Sequence, residues 1–282
     1  MRRLSEAFMR ELQTGFLSKI TKKVLEDKDL DLHIRKDYLN IYYKGNSLLK
    51  LTEQRSGKYK TEIHPNLSAG LDIPGLLIDE TTTDQFLRQV PFLKENIIVH
   101  GRFSLETEYE QMIIRANNLE ARNNSEYFIV DRQYAMGEKG REQLDLMGFF
   151  WDRNTRGKKT EVPVCFMEIK FALNADIQNI HDQLSRYYDA VKQRPADIAE
   201  EAADMFQQKL DLGIYSQDKK RLEAMRSLEF SKDIDQFQFI LIFVDYNPHS
   251  TLLNLDRLKT LPFSNQIKIF YSGFAMWEKN MT

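Results

Sequence analysis

Two apolar stretches decide the fold of this chain: Gln143-Leu-Asp-Leu-Met-Gly-Phe-Phe-Trp151 and Val162-Pro-Val-Cys-Phe-Met-Glu-Ile-Lys-Phe171. Both are rich in β-branched and aromatic residues, which is typical of buried strands. The polar segment 152–161 between them contains Gly157 and predicts a hairpin tip. We therefore expect the two stretches to be neighbouring strands of one sheet.

Three charged residues interrupt these apolar stretches: Asp145 in the first, and Glu168 and Lys170 in the second. Burying a charge is costly unless it is paired or bound to a metal. Because side chains alternate along a strand, Glu168 and Lys170 share one face about 7 Å apart, and a hairpin brings Asp145 alongside. Two carboxylates placed in this way suit Mg²⁺ or Mn²⁺. The alternative is an ordinary Glu/Lys pair on a strand end that emerges into solvent.

The motif Asp145 followed by Glu168-Ile-Lys170, with a later helix that carries Gln183-Leu-Ser-Arg-Tyr187, resembles the PD-(D/E)xK nuclease superfamily. The Gln-x-x-x-Tyr helix is similar to that of its RecB-type branch. The resemblance covers roughly residues 103–274, and Leu144 stands where the eponymous motif has proline. It implies an α/β fold with a three-layer restriction-endonuclease-like core, in which helices flank a mixed central sheet.

The resemblance also implies roles for individual residues. Asp145 and Glu168 are expected to bind the metal, together with the main-chain carbonyl of Ile169. In the superfamily, a helix before the first core strand often carries a further glutamate that faces the metal. Glu108 is the expected residue, and Glu106 and Glu110 are alternatives on the same predicted helix.

The remaining expected site residues act beside the metal. Lys170 is expected to orient the attacking water or to neutralise charge in the transition state. Gln183 and Tyr187 are four residues apart and share one helix face, so the resemblance implies that they position the substrate or Lys170. The alternative for Gln183 is a place on the flank of a packed helix.

The chain order predicts two parts. Residues 1–104 form an N-terminal helix, expected over 1–27, and a β-rich extension with a helical segment at 83–96 that Pro91 interrupts. Residues 105–282 form the nuclease-like core, with a helical insertion at about 195–230.

Composition excludes several function classes. The chain has 282 residues, 42% hydrophobic and 29% charged, with a net charge of −2. No apolar run approaches the roughly 18 residues of a membrane span, so we expect no membrane partner. The single cysteine, Cys165, excludes a disulfide framework and indicates a reducing cytoplasm. Neither a P-loop nor a Gly-x-Ser-x-Gly elbow occurs in the sequence.

The sequence therefore predicts a Mg²⁺-dependent (or Mn²⁺-dependent) deoxyribonuclease that hydrolyses phosphodiester bonds in nucleic acid, with DNA as the expected substrate. Homodimerisation is left open. The main alternative is a catalytically inactive nucleic-acid- or protein-binding module on the same fold, which the slightly acidic net charge favours. A third interpretation is a structural α/β protein with a surface Glu/Lys pair.

Overall fold

The computed structural model describes residues 2–136, 142–171 and 175–276. This part of the chain has an α/β fold with two five-stranded sheets. It divides into two compact units: Met1–Ser125 with Ala203–Arg226, and Glu126–Ala202 with Ser227–Thr282. The division into residues 1–104 and 105–282 stays a prediction.

The first unit begins with two short helices, α1 (Glu6–Thr14) and α2 (Ser18–Glu26). The single helix expected over 1–27 is therefore wrong. The backbone leaves the helical conformation at Gly15, and the Glu11 carboxylate accepts a hydrogen bond from the Phe16 N–H at 3.2 Å, which stabilises the bend. The two helices nevertheless bury an apolar face, which comprises Phe8, Leu12, Ile20 and Val24.

The first sheet is an antiparallel meander, and its strands follow one another in chain order. They are β1 (Leu30–Ile34), β2 (Tyr38–Tyr43), β3 (Asn46–Gln54), β4 (Lys58–Glu62) and β5 (Leu76–Leu77). A short helix α3 (Pro65–Ser68) lies between β4 and β5. The turn between β2 and β3 uses Lys44 and Gly45 at φ 45° and 76°, the left-handed region that favours glycine.

Helix α4 (Glu80–His100) is longer than expected and continues through Pro91. The predicted interruption is therefore wrong. Asp79 caps the helix through a reciprocal pair of hydrogen bonds with Thr82, which satisfies its first N–H groups. A buried apolar face offsets the backbone hydrogen bond lost at the proline, and it comprises Phe86, Val90, Leu93 and Ile97.

Helix α5 (Leu105–Ile114) is extended by a π-helical turn at Arg115–Leu119. The predicted helical insertion consists of α7 (Pro195–Asp211) and α8 (Lys219–Met225), separated by Gly213 at φ 76°. The boundary between the compact units falls within α7. Its later part belongs to the first unit, where the Gln208 amide bonds both main-chain groups of Leu4 at 2.9 Å.

The second unit is built on a mixed sheet in the order β10-β9-β8-β7-β6. Its strands are β6 (Tyr127–Met136), β7 (Glu142–Phe150), β8 (Val164–Phe171), β9 (Gln238–Val244) and β10 (Ile267–Ser272). The first three pair antiparallel, whereas β8, β9 and β10 pair parallel. The carboxyl ends of these last three strands therefore meet at one edge of the sheet.

Two helices connect the parallel strands of this unit. Helix α6 (Ile180–Lys192) follows a 3-10 turn at Ala175–Asn179 and connects β8 to β9. The shorter α9 (Leu255–Lys259) connects β9 to β10. Helix α6 buries an apolar stripe that comprises Ile180, Leu184, Tyr187 and Val191. Across the described ranges, no helix combines the length and the apolar character that crossing a membrane requires.

Candidate active site

The centre of the candidate site is an ion pair near the carboxyl end of β8. The Lys170 ammonium lies 2.7 Å from Glu168 Oε1, because alternate residues of a strand share one face. Only 4% of Glu168 and 7% of Lys170 is exposed. The alternative of a solvent-exposed Glu/Lys pair at a strand end is therefore wrong.

Helix α6 supplies two further hydrogen-bonding groups to Glu168. The Gln183 side-chain amide donates to Glu168 Oε1 at 2.6 Å and to the Tyr187 hydroxyl at 2.6 Å. The Tyr187 hydroxyl lies 2.8 Å from the Gln143 carbonyl oxygen and 3.1 Å from Glu168 Oε2. Its single proton is donated to one of these two acceptors at a time. Because Gln183 and Tyr187 are four residues apart on α6, both side chains contact the same Glu168 carboxylate.

Asp145 reaches the same region from β7. Its Oδ2 accepts a hydrogen bond from the main-chain N–H of Ile169 at 2.7 Å. In an antiparallel ladder, the N–H and C=O of one residue point toward the same neighbouring strand, so the Ile169 carbonyl also faces β7. The carboxylate of Asp145 and the carbonyl of Ile169 therefore lie on the same side of β8.

The electrostatics of the site follow from burial. Desolvation raises the pKa of Glu168 above its ordinary value of 4.5, while the Lys170 charge and the hydrogen bonds from Lys170, Tyr187 and Gln183 oppose that rise. Burial and then the Glu168 carboxylate raise the pKa of Tyr187, and the Asp145 carboxylate adds to this effect. Both carboxylates therefore raise the pKa of this phenol.

The donor set has the chemistry of a hard-cation site. Carboxylate and carbonyl oxygens are the ligands that Mg²⁺ and Mn²⁺ prefer. Each carboxylate offers about four lone-pair positions, and the described contacts of Glu168 use at most three of them. Its hydrogen bonds are therefore compatible with a metal ligand role.

Glu108 is the one expected site residue that the second unit does not contain. It lies on α5 in the first unit, where its Oε1 is 4.0 Å from the Lys44 ammonium, and it lines a cavity of about 240 Å³ with Lys28 and Arg115. Of its rivals, Glu106 is partly exposed and Glu110 is buried. Among the described residues, no three His, Cys, Asp or Glu side chains are grouped so that they could hold a metal ion.

Sequence reasoning missed two features at this edge of the sheet. One is the Gln143 carbonyl, a main-chain group that no residue pattern identifies. The other is a row of side chains across three neighbouring strands. Lys170 of β8 is in register with Phe243 of β9, and Phe243 is in register with Tyr271 of β10. Strand alternation could have placed Tyr271 on a defined face, but only the strand order places it beside β9.

Comparison with known proteins finds no matching family model, no matching curated protein and no matching solved structure.

Proposed function

We propose that this chain is a metal-dependent nuclease of the PD-(D/E)xK superfamily, which hydrolyses phosphodiester bonds in nucleic acid, with DNA as the expected substrate. The observation that carries this proposal is the buried Glu168–Lys170 pair at 2.7 Å, together with the Asp145 carboxylate on the backbone of the intervening residue, Ile169. The mixed sheet with α6 after β8 is compatible with a three-layer restriction-endonuclease-like core.

In this proposal, Asp145, Glu168 and the Ile169 carbonyl hold Mg²⁺ or Mn²⁺. When bound, such an ion polarises the phosphodiester and lowers the pKa of a bound water. The protein positions its ligands in advance. Asp145 is oriented by the Ile169 N–H, and Glu168 by three side chains, so little ordering remains when substrate binds.

Lys170 supplies the positive charge of the proposed site. Its ammonium donates to Glu168 and retains two further N–H donors, which orient the attacking water or stabilise the developing negative charge. Gln183 and Tyr187 act through Glu168, because both contact its carboxylate. They are positioning residues, and Glu108 stays a prediction as a further metal ligand.

Cleavage assays test the proposal directly. Linear, circular and single-stranded DNA, and an RNA of matched sequence, are incubated with Mg²⁺ and with EDTA. Wild-type protein is compared with Asp145→Ala and Lys170→Ala. A matched control is Asp256→Asn on α9, whose carboxylate is 88% exposed. We expect metal-dependent cleavage by the wild type and the control only. Equal activity in wild type, Asp145→Ala and Lys170→Ala eliminates the assignment.

A second candidate is a nucleic-acid- or protein-binding module that keeps the fold without catalysis. It is favoured by the contacts of Lys170, Gln183 and Tyr187, which already engage the Glu168 carboxylate. Calorimetry with Mn²⁺ separates the two candidates. Saturable binding that disappears in Glu168→Gln supports the nuclease, whereas no binding by folded wild-type protein supports the module. The cytoplasmic location and the homodimer stay predictions.

A further inference from the structure

The face that carries Glu168 and Lys170 continues across two more strands. Lys170, Phe243 and Tyr271 are in register on β8, β9 and β10, and side chains in register on parallel strands point to the same face. Neighbouring strands lie about 4.8 Å apart, so Tyr271 is roughly 10 Å from Lys170 across the sheet. Both residues are near the edge where the parallel strands end.

Three aromatic rings form a cluster at this end of the row, which we call the aromatic platform: Phe243, Tyr246 and Tyr271. The rings of Phe243 and Tyr271 are stacked, with centroids 5.7 Å apart and planes 28° apart. Tyr246 lies 5.4 Å from Phe243 and 6.1 Å from Tyr271. Phe243 is fully buried, whereas 57% of Tyr271 is exposed. The platform therefore has a buried base and an open aromatic surface.

Hydrogen bonds fix the Tyr246 ring of the platform and the segment that follows β10. The Tyr246 hydroxyl donates to the Ser250 carbonyl and accepts from the Leu253 N–H, both at 3.3 Å. Asp245, which follows β9, accepts two hydrogen bonds at its Oδ1. The donors are the main-chain N–H groups of residues 274 and 275, just after β10, at 2.5 and 2.8 Å. Rings that are fixed before binding lose little conformational freedom when a ligand stacks on them.

We infer that the aromatic platform stacks a base of an unpaired nucleic-acid strand. The inference deepens and rests on the proposed function, since it names single-stranded or frayed nucleic acid as the substrate class. In a duplex, each internal base is already stacked on both sides, so only an unpaired base offers a face to Tyr271. Stacking on aromatic side chains is tolerant of sequence. The in-register Lys170 places this base beside the proposed cleavage site.

Fluorescence anisotropy tests the inference without catalysis. A labelled oligothymidylate and a blunt DNA hairpin of matched length are titrated with protein in EDTA. Tyr271→Ala is expected to weaken binding of the single strand about tenfold, the effect of losing one stacked base, and to leave hairpin binding unchanged. Tyr271→Phe keeps the ring and is expected to bind as the wild type does. Phe92→Ala removes an aromatic side chain, 51% exposed, on α4 and serves as the matched control.

Equal single-strand affinity of wild type and Tyr271→Ala overturns the inference, as does wild-type protein that binds no single strand. A Tyr271→Ala protein that changes from dimer to monomer in light scattering, with unchanged single-strand binding, assigns the platform to self-association and also overturns it. The proposed function is judged separately by metal-dependent cleavage. An active nuclease with unaffected binding rejects the platform alone, and weakened binding without cleavage rejects the nuclease alone.

Discussion

The Asp145 carboxylate takes the place of a main-chain acceptor for the N–H of Ile169, at 2.7 Å. Strands β7 and β8 pair regularly as far as Leu146 and Met167, and two residues further along each strand Ile169 comes opposite Leu144. A continued ladder would bond the Ile169 N–H to the Leu144 carbonyl. The side chain therefore replaces a ladder bond at the residue of β8 that lies between Glu168 and Lys170.

Because Asp145 supplies both a hydrogen-bond acceptor and a negative charge, two substitutions separate their effects on stability and on cleavage activity. Asp145→Asn keeps an acceptor oxygen for the Ile169 N–H, so its free energy of unfolding is expected to stay within about 0.5 kcal/mol of wild type. Asp145→Ala removes the acceptor and is expected to cost about 1 kcal/mol. Both variants lose the carboxylate charge, and we expect each to lose cleavage activity roughly a hundredfold. Urea unfolding and plasmid nicking measure the two effects, and full activity of Asp145→Asn contradicts the proposed ligand role.

The raised pKa of Glu168 predicts a pH-dependent stability in metal-free buffer. Because burial raises this pKa above 4.5, the folded protein holds the proton more tightly than the unfolded chain. The stabilisation that comes from protonated Glu168 is fully present below pH 4.5 and is lost as the pH rises through the folded-state pKa of this carboxyl. The neutral amide of Glu168→Gln does not titrate.

The free energy of unfolding of wild type relative to Glu168→Gln is therefore expected to fall with rising pH in this window. Denaturation in EDTA at a series of pH values measures the difference. A difference that is constant, or that grows with pH, contradicts the prediction.

Tyr187 offers a matched test on one helix, because Tyr188 follows it. Tyr187→Phe removes the hydroxyl that contacts the Gln143 carbonyl, Gln183 and Glu168, so we expect a loss of about 1–3 kcal/mol in the free energy of unfolding. Tyr188 packs its ring on Phe263, with centroids 4.1 Å apart. Tyr188→Phe keeps that ring and is expected to change stability by less than about 0.5 kcal/mol. Equal effects in chemical denaturation would show that the Tyr187 hydroxyl bonds do not stabilise the site.

Two glycines test the close packing of β6 on β7. A Cβ at Gly148 would collide with the main-chain carbonyl oxygen of Phe128 on β6. Gly148→Ala is therefore expected to destabilise the protein by about 1–3 kcal/mol. At Gly157, in the loop between β7 and β8, no atom of the described residues lies within 4 Å of the Cβ position.

Gly157→Ala is expected to change stability by less than about 0.5 kcal/mol. Thermal unfolding of the two variants measures the difference, and similar midpoints would mean that β6 and β7 are further apart than described.

Local pattern predicted the two central strands of the second unit, because they are long apolar runs. Strands β7 and β8 coincide with the two stretches expected from the sequence, 143–151 and 162–171, to within two residues at each end. The failures are in the first unit. Gly15 ends α1 inside the single helix expected over 1–27, and α4 passes through Pro91. At Gly15 a side-chain hydrogen bond stabilises the bend that ends the helix, and at Pro91 the burial of an apolar helix face outweighs the lost backbone hydrogen bond.

The sequence by itself determined that Glu168 and Lys170 share one face of a strand and that Gln183 and Tyr187 share one face of a helix, since both follow from the backbone periods of 2.0 and 3.6 residues. Only the tertiary structure decided that these two faces meet, that Asp145 bonds the main chain of Ile169, and that Tyr271 lies in the same row as Lys170. These relationships depend on strand order and helix docking. They are contacts between residues far apart in the chain, which no local pattern encodes.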